Sequence, residues 1–281
     1  MVSRSAVLIT ADELIHHLAA GQPVTLLDVR WQLAQPDGYA TYMQEHLPGA
    51  VYVSLEDDLS DHAVAGRGRH PLPSGPALQA AARRWGVRDD RPVVVYDDWN
   101  RAGSARAWWV LRAAGLPDVR ILDGGLSAWK AAGGVLESGP ADPEPGTVTV
   151  RHDDLYSAAM PTVTAEQVHE TPMLDARAPE RFRGDVEPVD PIAGHIPGAR
   201  NLPSTSLLAD DGTFLPGPEL VALLAERGVA DEPVGVYCGS GVTAAVAIAA
   251  LTALGRDAAL FPGSWSQWSS ESGRPVARGP E

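Results

Sequence analysis

The chain repeats itself once, and this duplication limits what it can fold into more than any other feature. Five segments recur in the same order in its two halves. Thr10-Ala-Asp-Glu13 is matched by Thr164-Ala-Glu-Gln167, and Leu26-Leu-Asp-Val-Arg30 by Met173-Leu-Asp-Ala-Arg177. His46-Leu-Pro-Gly-Ala50 is matched by His195-Ile-Pro-Gly-Ala199, and Val93-Val-Val-Tyr96 by Val234-Gly-Val-Tyr237. Last, Leu122-Asp-Gly-Gly-Leu-Ser-Ala-Trp129 is matched by Phe261-Pro-Gly-Ser-Trp-Ser-Gln-Trp268. The first pair predicts capping boxes that open short helices. The second and fourth pairs predict short buried strands. Each fourth segment is followed by a Gly-containing turn and an Ala-rich helical stretch ending at Gly115 or Gly255. Strands alternating with helices predict an α/β unit with a mostly parallel sheet flanked by helices, and the duplication predicts two of them in tandem. The expected boundaries are a first domain over 1–138, a linker over 139–160 rich in Pro, Gly and Asp, and a second domain over 161–281.

Lys and Arg total 22 against 36 Asp and Glu, a formal net charge of −14. So acidic a surface repels phosphate backbones and anionic lipid, which argues against nucleic acid and membrane as partners. A small anionic substrate then needs a local positive pocket. No segment has the long uncharged apolar run of a membrane span, and the apolar stretch near the N-terminus is short for a secretory signal, so the expectation is a cytoplasmic chain. Two domains that bury their own interface suit a monomer. The single cysteine excludes an intramolecular disulfide and a zinc site built from several cysteines, and no metal is expected.

That cysteine, Cys238, follows the Val234–Tyr237 segment and opens Cys238-Gly-Ser-Gly-Val-Thr243, after which Ala244 begins an apolar helical run. The thiol is therefore expected at a strand-to-helix turn, at the carboxyl end of a strand, where open α/β sheets bind ligands. Gly239 and Gly241 let the backbone curl so that N–H groups face inward as an anion nest, and the helix adds its positive end. Both favour a nucleophilic thiolate. Ser240 and Thr243 offer hydroxyls to the sulfur.

On these residues the chain resembles the tandem rhodanese-like sulfurtransferases along nearly its whole length. Tyr42–Val53 is similar to the family's N-terminal signature, and Ala258–Trp268 to its C-terminal signature, with Gln267 where the family usually has Glu. The neutral loop Cys238–Thr243 is similar to that of the 3-mercaptopyruvate branch; thiosulfate-specific relatives tend to carry basic residues after the cysteine. The resemblance implies sulfur transfer from 3-mercaptopyruvate or thiosulfate to a thiophilic acceptor (cyanide, a small thiol or thioredoxin) through a Cys238 persulfide, with no cofactor. The residues expected to form the persulfide loop are Gly239, Ser240, Gly241, Val242 and Thr243. The resemblance also implies that the first half is a non-catalytic scaffold, since Asp97 stands where Cys238 stands and a carboxylate cannot carry sulfane sulfur.

The same resemblance implies that Arg181, in Arg181-Phe-Arg-Gly184, binds the anionic donor. Arg183 would share a face with it in an extended stretch. The resemblance further implies that the interdomain wall gives the substrate site a histidine and an acidic residue of the first half, by position His70 and Glu56. The chain departs from animal-type members after this motif, because Asp185-Val-Glu-Pro-Val-Asp190 offers no second arginine. His46 and His195, present in both halves, read as structural, as do Asp28 and Asp175, expected to be turn or cap residues. The tryptophans read as core. Two rival functions are open to test. A Cys-x5-Arg phosphatase needs an arginine where Ala244 stands. A non-enzymatic sulfur-relay or redox-sensing module would lack multiple turnover.

Overall fold

The computed structural model describes residues 3–229 and 231–280. In the first half β1 (Leu8–Ile9) leads into α1 (Ala11–Ala19), and β2 (Thr25–Asp28) is followed by α2 (Tyr39–Tyr42) and β3 (Val51–Tyr52). Then come α3 (Gly75–Arg84), β4 (Val93–Tyr96), α4 (Ala102–Ala113), β5 (Val119–Leu122) and α5 (Gly125–Ala131). The second half repeats the plan with β6 (Met173–Asp175), α6 (Pro179–Arg183), β7 (Arg200–Asn201), α7 (Gly217–Glu226), β8 (Val234–Tyr237), α8 (Ala244–Ala253), β9 (Ala258–Leu260) and α9 (Ser264–Trp268).

Each half is an all-parallel sheet, of order β1-β5-β4-β2-β3 in the first and β7-β6-β8-β9 in the second. A parallel bridge of Thr162 to Leu260 occupies the place that β1 holds in the first sheet. The register repeats as well: Asp28 lies opposite Tyr96, and Asp175 opposite Tyr237. The fold is thus two parallel-sheet α/β units, as the duplication predicts.

The helix starts repeat less faithfully. Thr10 and Glu13 form a complete capping box on α1. In the second half the Gln167 side chain accepts from the Thr164 N–H at 2.9 Å, but only a 3-10 turn over Gln167–Glu170 follows. The expected second helix is therefore reduced to one tight turn, although half of its box survives.

The halves join through two helices that are buried on nearly every side. All residues of α4 but Arg112, and all of α8 but Thr252, are buried, as expected for helices without a solvent face. These two helices pack against each other between the sheets, and one core runs from Val7 and Val29 in the first half to Val236 and Leu260 in the second. The segment 139–160 lies along the first half and is not a free tether. Val148 N–H bonds to Val87 O, Arg151 N–H to Ala114 O, and Val148 and Leu155 are buried. The tryptophans are core as expected, except Trp99, which is 56 % exposed. No helix among the described residues is long and apolar enough to cross a membrane.

Candidate active site

Cys238 stands one residue past β8, and its counterpart Asp97 one residue past β4. The thiol is buried, at 2 % exposure. Its sulfur accepts the Gly241 N–H at 3.2 Å, just before the N-terminus of α8. The two glycines of the loop serve different ends. Gly241 has φ +78°, and a Cβ there would lie 2.5 Å from the Pro262 carbonyl oxygen, so it is the residue that lets the backbone curl. Gly239 needs space: a Cβ there would lie 3.1 Å from Arg69 Nη2 and 3.5 Å from Arg181 Nη1. The loop is pinned from the other side, where the Trp265 N–H donates to Cys238 O and the Ser266 N–H to Gly239 O.

At the end of the loop the Val242 isopropyl group is buried in the apolar core that the two halves share. Its carbonyl accepts the Ala245 N–H, so Val242 starts the turn into α8 and anchors the loop from below. The physical reason is that a β-branched apolar side chain gains more from the core than from a polar anion site. Thr243 caps α8 by position only, with no bond from its side chain.

The Ser240 hydroxyl is turned to the first half and does not serve the sulfur. Its oxygen lies 2.7 Å from His70 Nδ1, and His70 Nε2 lies 3.1 Å from Glu56 Oε1. Glu56 also accepts the Trp31 indole N–H at 2.6 Å and faces His62 Nε2 at 3.0 Å. Burial opposes the charge of Glu56, but the bonds from Trp31 and His70 and the pull of the histidines together hold it below the usual carboxylate range. Burial pushes His70 down to about 4; Glu56 opposes this, and Arg106 and Arg69 add to it. His70 is therefore neutral at pH 7. An ionised Glu56 accepts the Nε2 proton, so Nδ1 is the bare nitrogen and the Ser240 O–H donates to it. His70 and Glu56, named from sequence, are both brought to the cysteine loop in one hydrogen-bonded line.

Arg181 lies over the loop on α6, with its Nη2 held by Glu187 at 2.6 Å and Asp190 at 3.3 Å. Arg183 does not share its face. Residues 179–183 are helical, not extended, so side chains two apart diverge, and the Arg183 guanidinium pairs with Asp185 at the surface.

Two arginines were not singled out in the sequence. Arg69 pairs with Asp190, and its own N–H donates to Ser266 Oγ at 3.0 Å. Its signal was proximity to His70 in a Gly-Arg-rich loop of an otherwise acidic chain. Arg106 is a fully buried charge on α4 with no carboxylate partner among the described residues. It donates to three carbonyls, Leu59 O, His70 O and Gly241 O, so it ties the His70 loop to the cysteine loop. Burial pulls it down to about 10, with the fields of Tyr156, Cys238 and Glu56 opposing, so it stays charged at pH 7. A lone arginine within Ala105–Leu111, an otherwise apolar run, was the available signal.

The residues common to both halves hold the backbone. His46 Nδ1 bonds Tyr42 O and His195 Nδ1 bonds Phe182 O. The hydroxyls of Tyr96 and Tyr237 accept the N–H of Leu47 and Ile196. Asp28 and Asp175 are more than turn residues: each anchors a buried ion pair, with Arg30 at 2.9 Å and Arg177 at 2.6 Å.

The arrangement agrees with what known proteins of this kind look like. The Rhodanese-like domain family matches residues 10–132 and again 161–271. A Mycobacterium tuberculosis protein, provisionally named thiosulfate sulfurtransferase SseB, is 65 % identical over 99 % of both chains. The 3-mercaptopyruvate sulfurtransferase of Escherichia coli K12 is 37 % identical over 84 % of each. The crystal structure of SseA from Escherichia coli, described as a 3-mercaptopyruvate sulfotransferase with the rhodanese fold, superposes with a TM-score of 0.80 at 34 % identity, covering 92 % of this chain and 98 % of that one. The chain, with two such domains and one cysteine at the end of the second central strand, belongs to the tandem rhodanese-like sulfurtransferases.

Proposed function

We propose that this enzyme moves sulfane sulfur from 3-mercaptopyruvate or thiosulfate to a thiophilic acceptor through a persulfide on Cys238. The observation that carries the reading is the position of the sulfur, which takes the Gly241 N–H at the start of α8 with two guanidinium groups over the next residue. A site so built stabilises an anion on sulfur, as thiolate before the transfer and as persulfide after it. Arg181 binds the donor's anionic group.

With 3-mercaptopyruvate, the Cys238 thiolate attacks the donor sulfur, the S–C bond breaks, and its electron pair leaves on carbon as the pyruvate enolate. The proton of the donor's thiol ends on that carbon, which yields pyruvate and an anionic persulfide. With thiosulfate the S–S bond breaks, sulfite leaves with the electron pair, and no proton moves. The line Ser240–His70–Glu56 suits the first donor. Ser240 donates to His70, so its oxygen lone pairs are free to accept the donor's thiol proton and pass it on. A thiosulfate-only enzyme has no use for that line, which favours the keto acid. Cyanide, a thiolate or reduced thioredoxin then attacks the outer sulfur and frees Cys238 as a thiolate. No step calls for a metal or an organic cofactor, and the kinetics are ping-pong.

The test is Cys238→Ser with either donor and cyanide as acceptor. Loss of turnover, with a mass increase of about 32 Da (one sulfur atom) on the wild-type chain after donor alone, supports the reading; turnover by the serine variant overturns it. A wild-type chain that takes up one sulfur but never turns over is instead the relay or sensor module.

A further inference from the structure

Among the described residues only two that are not glycine have a positive φ, Arg101 at +64° and Ser264 at +53°. Arg101 stands at the nest that ends β4, and Ser264 at the one that ends β8. A serine is strained in this conformation and a glycine is not; such strain persists where a site makes use of it. We propose that Ser264 is a positioning residue for Cys238: its hydroxyl holds the backbone N–H of the cysteine, and the strained backbone is what places the hydroxyl there. The proposal rests on the sulfurtransferase reading above and adds to it the residue that aims the sulfur.

The hydrogen bonds give the first support. The Cys238 N–H donates to Ser264 Oγ at 3.1 Å, and the Ser264 O–H donates onward to Phe261 O at 2.9 Å. Ser264 is 0 % exposed, so bulk water does not reach the cysteine amide, and a buried N–H needs a partner. On its other side Cys238 O accepts the Trp265 N–H at 3.0 Å. Both backbone groups of the cysteine are therefore held by the first two residues of α9, and the thiol extends from a clamped Cα. The Gly241 N–H meets the sulfur at 3.2 Å only while that Cα stays in place.

The first half supplies the comparison. Gly125 is the counterpart of Ser264 in the repeat, begins α5 as Ser264 begins α9, and has nearly the same φ, +55°. A Cβ there would lie 1.8 Å from Nη1 of Arg101, whose guanidinium pairs with Asp97. The space beside the first nest is thus filled by a cation that answers a permanent carboxylate, and the turn takes glycine, its relaxed residue. Beside the second nest the same turn carries a side chain, although glycine would be relaxed there too. That side chain is neutral and bonds the amide of the nucleophile, so it fixes the cysteine without adding a charge that would tie down the sulfur. A turn kept for the fold alone has no reason to retain the strained residue.

Two variants separate the hydroxyl from the strain. Ser264→Gly removes both, and Ser264→Ala removes the hydroxyl while keeping the strain. Glycine suits this φ, so Ser264→Gly is the variant that keeps its fold. The measurements are melting temperature, kcat and KM for 3-mercaptopyruvate and thiosulfate with cyanide, and the rate of Cys238 alkylation by iodoacetamide at neutral pH. If Ser264 aims the cysteine, both variants lose about tenfold in kcat and in alkylation rate, the worth of one buried hydrogen bond, while KM stays within about twofold of wild type. The two then differ in stability alone: Ser264→Gly melts about 2–4 °C above Ser264→Ala, as relief of one left-handed non-glycine residue implies in a chain of this size. A Ser264→Gly variant with kcat and alkylation within about twofold of wild type overturns the proposal, because the serine then serves the fold alone. Equal melting temperatures of the two variants overturn the part assigned to strain. Absence of turnover in the wild-type chain refutes the sulfurtransferase reading by itself, and the alkylation rates then still decide for or against Ser264.

Discussion

Replacing His70 by Gln separates the two donors, because one reaction needs a proton moved and the other does not. His70 is neutral at pH 7 by roughly a thousandfold, since burial sets it at about 4. Its bare Nδ1 draws the Ser240 hydroxyl at 2.7 Å, and Glu56 fixes the other nitrogen at 3.1 Å. Gln fills much of the same volume and can still bond Ser240 or Glu56, but it cannot accept a proton from one partner while giving one to the other. The expected loss with 3-mercaptopyruvate is about 100-fold in kcat, the lower end of what a positioned acid–base group contributes. With thiosulfate the S–S bond breaks without proton transfer, and the loss should stay below about fivefold, the residue of a disturbed hydrogen bond. The assay is steady-state turnover of both donors with cyanide, paired with the solvent deuterium isotope effect on 3-mercaptopyruvate. Wild type should show a normal effect that the variant changes, and thiosulfate should show little in either protein. Equal losses with both donors would mean that His70 merely shapes the loop through Ser240, and the relay would be wrong.

Two further outcomes follow from the same geometry. Below its ordinary value of 6.5 the unfolded chain takes up a proton at His70 that the folded chain refuses down to about 4, so unfolding free energy should fall by about 3 kcal/mol as pH drops through that window; denaturant titrations should show this slope flattened in His70→Gln. Gly241→Ala meets both a left-handed φ and the Pro262 carbonyl at 2.5 Å, so it should cost well over the ~1–2 kcal/mol of the backbone conformation alone and remove the bond to sulfur; Gly49→Ala, with φ +70° and open space, should cost only that smaller amount by thermal unfolding, with activity kept.

The sequence made the fold legible because the duplication let weak signals confirm one another. A four-residue strand such as Val93–Tyr96 is ambiguous alone, yet its recurrence as Val234–Tyr237 before a turn and an Ala-rich run leaves little choice. The cysteine loop was legible for a local reason, since strand, glycine turn and helix are contiguous. Which way its side chains point was not legible in the same way, since contiguity with the nest says nothing of it, and Val242 points into the core. Arg181, His70 and Glu56 were placed through family likeness and not through any local rule. Arg183 failed because the segment after β6 is one helical turn, too short to carry a period. The second capping box overreached because its pattern survives in the side chains while the helix behind it does not. Arg69 and Arg106 escaped because their partners, Asp190 and Gly241, are more than a hundred residues away, and only the docking of α4 on α8 brings them together.

That docking also bears on why the proposed chemistry falls to one half and not to the other. At the end of β4 the carboxylate of Asp97 accepts the N–H groups of Trp99, Arg101 and Ser104 at 3.1–3.2 Å, and Arg101 pairs with it at 2.8 Å. The first half has thus built an anion nest and filled it with its own side chain. At the end of β8 the same place holds a thiol, and the charges around it come from elsewhere: Arg106, Arg69, His70 and Glu56 all belong to the first half. An anion that must be made and unmade on sulfur cannot share its nest with a permanent carboxylate. The proposed transfer also needs an imidazole that rests neutral, with a bare Nδ1 able to take the Ser240 proton, and the buried interface supplies that resting state by holding His70 at about 4. The two halves therefore divide one task. In the proposed mechanism one would carry the sulfur and the other would supply the proton line and much of the charge, and an apolar α8 with no solvent face keeps them together.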